Sequence, residues 1–210
     1  TTLSSLMSWA KRRGMVPGNP VGDLEAREKP KVGRKHQRVF ERQEIEALLK
    51  AADDKYRPLV ATAVFSGLRL MELLALRWQD VDFANGYMRV RWQLSRKGGL
   101  KELKTESGRR DVVLMPELGR LLRRHKAASR YSKEGDFVFA SAAGTPLNWR
   151  NVETRGFDEA VERAKLRRTD GKPVLHDCRH TVASLMIAQG LDIVFISRQL
   201  GHANPATMLR

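Results

Sequence analysis

The apolar residues of this chain change their spacing twice, and that change limits the fold more than any other feature. Up to Leu76 they recur every three or four positions, the period of a helix with one buried stripe. From Val81 they fall into short extended blocks around Asn85-Gly86, a pair suited to the tight turn of a β-hairpin. After Pro116 the helical spacing returns. The pattern predicts an α+β fold, mainly α, in which helices surround a small antiparallel sheet of about three strands.

Leu3, Leu6, Met7 and Ala10 predict a helix over 2–13, stopped by Gly14 and by Pro17-Gly18-Asn19-Pro20. A helix this short is marginal alone, so residues 1–16 read as the end of an upstream helical domain. Residues 17–38 read as a basic linker, most strongly over 29–38, and the main domain as 39–210. Within it, helices are expected over about 41–52, across Leu59–Val64 to Gly67, and over 70–76. Strands are expected at Val81–Phe83, Tyr87–Trp92 and Asp111–Leu114, with a loop at Lys97-Gly98-Gly99. Pro116 opens a helix through Leu118, Leu121 and Leu122. Phe137–Phe139 reads as a short extended piece. Asn148 or Asn151 caps a helix to about Lys165. His176–Gln189 forms another, closed by Gly190. Asp192 caps one through Leu200, and Pro205 opens a last one.

Charge gives the first functional indication. Lys and Arg total 39 against 24 Asp and Glu, a net charge of +15. Such an excess calls for a polyanionic partner, nucleic acid before an anionic membrane surface. No apolar run approaches the roughly 18 residues of a membrane span, and the start lacks the pattern of a signal peptide. The lone Cys178 forms no internal disulfide and fits a reducing cytoplasm. No phosphate-binding glycine loop and no metal-ligand spacing occur, so neither ATP, metal nor other cofactor is expected.

Four segments concentrate the chemistry: Ser66-Gly67-Leu68-Arg69-Leu70-Met71-Glu72-Leu73, Leu103-Lys104-Thr105-Glu106-Ser107-Gly108-Arg109-Arg110, Leu175-His176-Asp177-Cys178-Arg179-His180-Thr181, and Leu200-Gly201-His202-Ala203-Asn204-Pro205. Each alone has an ordinary explanation: an arginine on a helix surface, a solvated lysine, a histidine near a helix end. His176 and Arg179 lie three apart and share a helix face. Together, in this order, the four segments resemble the tyrosine recombinase (phage integrase) family over about Phe40–Arg210. That family carries an arginine in a Gly-Leu-Arg-x-x-Glu-Leu turn, a lysine in a β-hairpin, a His-x-x-Arg box and a Leu-Gly-His box. The resemblance assigns these parts to Arg69, Lys104, His176 with Arg179, and His202.

The resemblance implies site-specific DNA recombination, integration or excision, through a 3′-phosphotyrosine link, on a double-stranded DNA site held by a tetramer of recombinase subunits. The residue types suit this. Two guanidinium forks can bind the non-bridging oxygens of a phosphate and stabilise charge built up during attack, which fits Arg69 and Arg179. His176 can contact the same phosphate or move a proton. By the resemblance, Lys104 is the general acid for the departing 5′ oxygen and His202 bonds the phosphate. Glu72 is expected to orient an arginine rather than touch DNA. Asp177 is expected to supply a favourable charge at a helix N-terminus. Arg96, Lys97, Arg150, Arg155, Lys35, Arg89 and Arg91 are further candidate DNA contacts.

The family's nucleophile falls about nine or ten residues after the Leu-Gly-His histidine, at position 211 or 212. The three tyrosines here, Tyr56, Tyr87 and Tyr131, all precede it. The expectation is a catalytic domain truncated before its nucleophile, which binds DNA without cleaving it and is monomeric. Two other readings stay open: a non-catalytic DNA-binding module, and a type IB topoisomerase-like enzyme.

Overall fold

The computed structural model describes residues 2–25, 27–28, 38–105, 107–166 and 171–201. The chain divides into two compact units, Thr1–His36 and Gln37–Arg210. The first holds helix α1 (Thr2–Arg12), ended at Gly14, whose φ of 69° lies in the left-handed region. Asn19 folds back on this helix, its amide donating to Ser4 O at 3.1 Å and Ser8 Oγ at 2.8 Å.

The second unit begins with α2 (Arg42–Ala51), α3 (Arg57–Ser66) and α4 (Leu70–Ala75). Helix α3 is buried along nearly its whole length, through Leu59, Val60, Ala61, Thr62, Ala63, Val64 and Ser66. That is why its sequence reads as one apolar run rather than a stripe. A 3₁₀ turn at Trp78–Asp80 leads into β1 (Val81–Asp82) and β2 (Tyr87–Val90), joined through Asn85-Gly86. Both pair antiparallel in a sheet ordered β1-β2-β5, where β5 is Arg110–Val113 and Val90 faces Arg110.

Two strand expectations need correction. The run Tyr87–Trp92 does not stay in one sheet. After Val90 the chain changes partners, and β3 (Trp92–Leu94) pairs with β4 (Leu100–Glu102) as a separate two-stranded ribbon. Arg91 marks the switch. Its carbonyl accepts from Leu103 N at 2.9 Å, on the ribbon side, while its guanidinium donates to Arg110 O at 2.6 Å, on the sheet side. The loop expected at Lys97-Gly98-Gly99 is therefore the turn of a second hairpin, with Gly98 and Gly99 at φ 91° and 81°. The short piece Phe137–Phe139 joins neither sheet. Phe137 and Ala140 make only isolated bridges, to Arg77 and Pro146.

Helix α5 (Pro116–Ala128) starts on its proline. Asn148 then caps the next helical stretch, Oδ1 accepting from Arg150 N and Asn151 N at 3.0 and 3.2 Å. That stretch is α6 (Trp149–Asn151), a π-helical segment Val152–Asp158 and α7 (Glu159–Arg163). The wide π turns bring Gly156 against the Tyr56 ring, where a Cβ would lie 2.9 Å from Tyr56 Cγ. Helices α8 (Leu175–Ala188) and α9 (Ile193–Leu200) complete the described fold. Asp192 caps α9, accepting from Val194 N and Phe195 N at 2.9 and 3.0 Å. The main core gathers Phe40, Leu48, Leu59, Leu73, Trp78, Met88, Leu118, Leu122 and Phe157. Val182, Ile196 and Leu200 form a smaller one between α8 and α9. No helix among the described residues is long and apolar enough to cross a membrane.

Candidate active site

The site is built around the C-terminal end of α9. A helix leaves its last carbonyls without intrahelical donors, and their partial negative charge favours cations. Here three successive carbonyls each take one arginine. Gln199 O accepts from Arg110 Nε at 2.8 Å, Leu200 O accepts from Arg179 Nη2, and Gly201 O accepts from Arg69 Nη2 at 3.1 Å. Three segments far apart in sequence are thereby fixed to one helix end.

Two glycines make the approach possible. Gly67 ends α3 at φ 64°, and a Cβ there would sit 2.7 Å from Leu200 Cδ2. Its carbonyl accepts from Arg179 Nη1 at 2.9 Å. Gly201 ends α9 at φ 67°, and a Cβ there would meet Arg110 Nη1 at 2.8 Å and Ser107 O at 2.9 Å. A side chain at either position faces both the left-handed backbone and an occupied space.

Arg69 stands at the N-terminus of α4, and Glu72, one turn on, holds it. Glu72 Oε2 accepts from Arg69 N at 3.0 Å and Oε1 from Arg69 Nη1 at 2.9 Å. The same carboxylate takes Arg110 as a fork, Nη2 to Oε2 at 2.8 Å and Nη1 to Oε1 at 3.1 Å. Glu72 and Arg110 side chains are 1% and 6% exposed, whereas Arg69 is 41% exposed. Burial alone would raise the Glu72 pKa. The hydrogen bonds and charge of Arg110, then those of Arg69, outweigh it and hold the carboxyl below its ordinary value.

Arg179 is buried, at 3% exposure. Burial, then repulsion from Arg69 and Arg110, lowers its pKa to about 9, with Glu72 opposing, so it stays charged at neutral pH. A guanidinium has five N–H donors. Arg69 and Arg179 each spend two on the bonds above, leaving donors without partners among the described residues. His176 lies one turn before Arg179, its ring edge-to-face with His180 at 4.9 Å between centroids. Desolvation lowers its pKa, and His180, Arg179 and Arg69 lower it further against Asp177. His176 is therefore neutral at pH 7. His180 is lowered too, by burial first and Arg179 second, with Asp177 opposing.

The expected site residues fall out as follows. Arg69, His176 and Arg179 come together, with Glu72 between two arginines rather than beside one. Asp177 caps α8, its Oδ2 accepting from Val174 N at 2.8 Å. Lys104 is exposed and lies two residues past β4, where the chain leaves the second hairpin for β5. His202, Lys35 and the helix expected from Pro205 lie outside the described residues. Arg96 and Arg150 are exposed and stack on Trp149, 5.5 and 5.1 Å from its ring centroid, beside a cavity of about 470 Å³. Lys97 and Arg155 are exposed. Arg89 and Arg91 are paired instead with Asp82 and Asp111. Arg110 and Gln199 went unrecognised in the sequence. Gln199 covers the open edge of β5, its Oε1 accepting from Val113 N at 3.0 Å and Nε2 donating to Asp111 O at 3.3 Å. The one available signal was alternation in β5, which places Arg110 on the same face as Val112.

The chain is similar to known proteins in sequence and in fold. The sequence model described as the phage integrase family matches residues 38–210. Tyrosine recombinase XerC of Xanthomonas axonopodis pv. citri is 30% identical over 97% of this chain and 62% of its own length. Prophage integrase IntR of Escherichia coli is 29% identical over 95% of this chain and 52% of its own. The chain thus spans about half to two thirds of these relatives. Among solved structures, the Tn1549 transposon integrase in complex with a circular intermediate DNA superposes with a TM-score of 0.82 at 21% identity, over 98% of this chain and 70% of that one. A lambda integrase tetramer bound to a Holliday junction gives 0.66 at 24% identity, over 97% and 57%. At these identities the structures speak for the fold alone. The family match over most of the chain, with the site's arginines gathered at one helix end, leads to one conclusion: the chain belongs to the phage integrase family, as a tyrosine recombinase catalytic domain.

Proposed function

We propose that the chain performs the phosphate-binding part of site-specific DNA recombination. The observation that carries this reading is the convergence of Arg69 and Arg179 on the adjacent carbonyls of Gly201 and Leu200, with donors on both guanidiniums unspent. Arg keeps its charge and its planar fork, so the pair is prepared for two non-bridging oxygens of a scissile phosphate. Neutral His176 can share that phosphate or relay a proton. Lys104 protonates the departing 5′ oxygen, and His202, next to Gly201 in sequence, bonds the phosphate. Residues 39–210 are the catalytic domain, 17–38 a basic linker and 1–16 the end of an upstream DNA-binding domain.

This reading calls for a tyrosine nucleophile, and none of the three tyrosines of residues 1–210 is free to serve. Tyr56 is packed in the core, Tyr87 bonds Arg89 and Tyr131 donates to Ala142 O, so each is already engaged elsewhere. Attack leaves a 3′-phosphotyrosyl link and a free 5′ hydroxyl, and a partner strand's 5′ hydroxyl reverses the exchange. The link conserves the phosphodiester energy. The 210-residue chain binds double-stranded DNA without cleaving it. The intact protein works in the cytoplasm with other recombinase subunits, as a tetramer on its site. Names of relatives, recombinase and integrase, favour this reading over a topoisomerase.

The test is covalent capture. The full-length protein is incubated with nicked duplexes carrying a randomised window, and detergent-resistant DNA adducts are sequenced. Adducts at one sequence are expected, and they disappear in Arg179→Ala while most of the DNA affinity remains. Adducts with no sequence preference would favour the topoisomerase reading. Binding without any adduct would favour a non-catalytic module.

A further inference from the structure

We infer that Arg110 is a positioning residue that sets the reach of Arg69 toward the phosphate, a role that rests on the function proposed above. Arg110 comes from β5 and ends buried between α4 and α9. Four of its bonds are placed: two to the Glu72 carboxylate, one to Gln199 O at 2.8 Å and one to Gly108 O at 3.0 Å. It therefore joins three of the segments that carry the site: α4 with Arg69, the connection bearing Lys104, and the end of α9.

Glu72 explains why this matters. An ionised carboxylate offers about four lone-pair positions. Two go to Arg69, one to its backbone and one to its side chain, and two go to Arg110. Without Arg110, half of the acceptor set opens and the carboxylate is free to turn. It would then follow the Arg69 fork instead of fixing it. Arg69 is partly open to solvent, and among the described residues only Glu72 and Gly201 O define its geometry. Loss of Arg110 also frees Gln199 O, two residues before Gly201, so both anchors of Arg69 loosen together. Lysine in its place supplies a charge but one bonding centre, which cannot span both carboxylate oxygens and two carbonyls.

Two measurements separate this inference from the function beneath it. The first uses the 210-residue chain with ¹⁵N-labelled arginine. In the wild type, the Arg69 Nη groups are held by Glu72 and Gly201 and are expected to give separate, slowly rotating resonances. In Arg110→Lys they are expected to coalesce, with the backbone spectrum of the core unchanged. The second uses full-length protein and the nicked duplexes described above. Single-turnover adduct formation by R110K is expected to fall by at least about tenfold, roughly 1.4 kcal/mol in the barrier, with DNA affinity within about threefold. Arg110→Met is expected to fall further. If R110M does not fold, R110K still gives both readings. Arg69 resonances that stay separate in R110K would overturn the inference, as would adduct formation at the wild-type rate. A wild type that forms no adduct sinks the recombinase reading, and the resonances still decide whether Arg110 positions Arg69.

Discussion

Gly67→Ala tests the packing that brings the site together. The substitution meets two penalties that can be counted separately. Gly67 has φ 64°, and the left-handed region costs an L-residue about 1–2 kcal/mol. The new methyl would also lie 2.7 Å from Leu200 Cδ2 and 3.4 Å from Val182 Cβ, inside the small α8–α9 core. Overpacking of that kind typically costs about 1–3 kcal/mol. The sum is a destabilisation of about 2–5 kcal/mol in urea unfolding, the sum of those two ranges. At about 2–4 °C per kcal/mol for a domain of this size, that lowers the melting temperature by about 4–20 °C. Leu200→Ala removes the clashing methyl and leaves the backbone strain. In that background Gly67→Ala should cost only the strain, about 1–2 kcal/mol. The double variant should therefore be more stable than the two single losses predict. Strictly additive losses, or a single-variant cost below about 1 kcal/mol, which the backbone strain alone should exceed, would refute the reasoning.

Three further outcomes are expected. Asp192→Ala removes the cap of α9 and should cost about 1 kcal/mol in urea unfolding, and an unchanged midpoint would show that the cap is not holding the helix. His176 and His180 both have native pKa values below their free values. Their share of stability is whole above about pH 6.5 and is lost as pH falls toward the lowered native values, because the unfolded chain takes up protons that the native state resists. Urea midpoints between pH 5 and 7.5 should slope accordingly and flatten in His176→Asn/His180→Asn, and an equal slope in that variant would place the effect elsewhere. DNA affinity should fall steeply with salt, and Arg96→Ala/Arg150→Ala should reduce the log–log slope by about 1.8 if each residue neutralises one phosphate. An unchanged slope would remove the Trp149 stack from the DNA interface.

What the sequence determined by itself was local. Asn85-Gly86 fixed a hairpin, Asp192 fixed one helix start and Asn148 or Asn151 marked another, and Gly67 and Gly190 fixed helix ends, because turn and cap chemistry depends on a few adjacent residues. The order of the four segments pointed to the family, and through it to Arg69, His176 and Arg179. Only the tertiary structure decided how the strands were shared. The extended run from Tyr87 to Leu94 changes partner at Arg91, and neither propensity nor period marks such a change. Tertiary structure alone also decided that Arg110, in a strand 38 residues from Glu72, becomes a buried half of its ion pair. An arginine in sequence is most simply read as exposed, since burying its charge is costly unless partners wait in the right geometry. Those partners are a carboxylate on α4 and carbonyls at the end of α9, set side by side by packing rather than by any spacing in the chain.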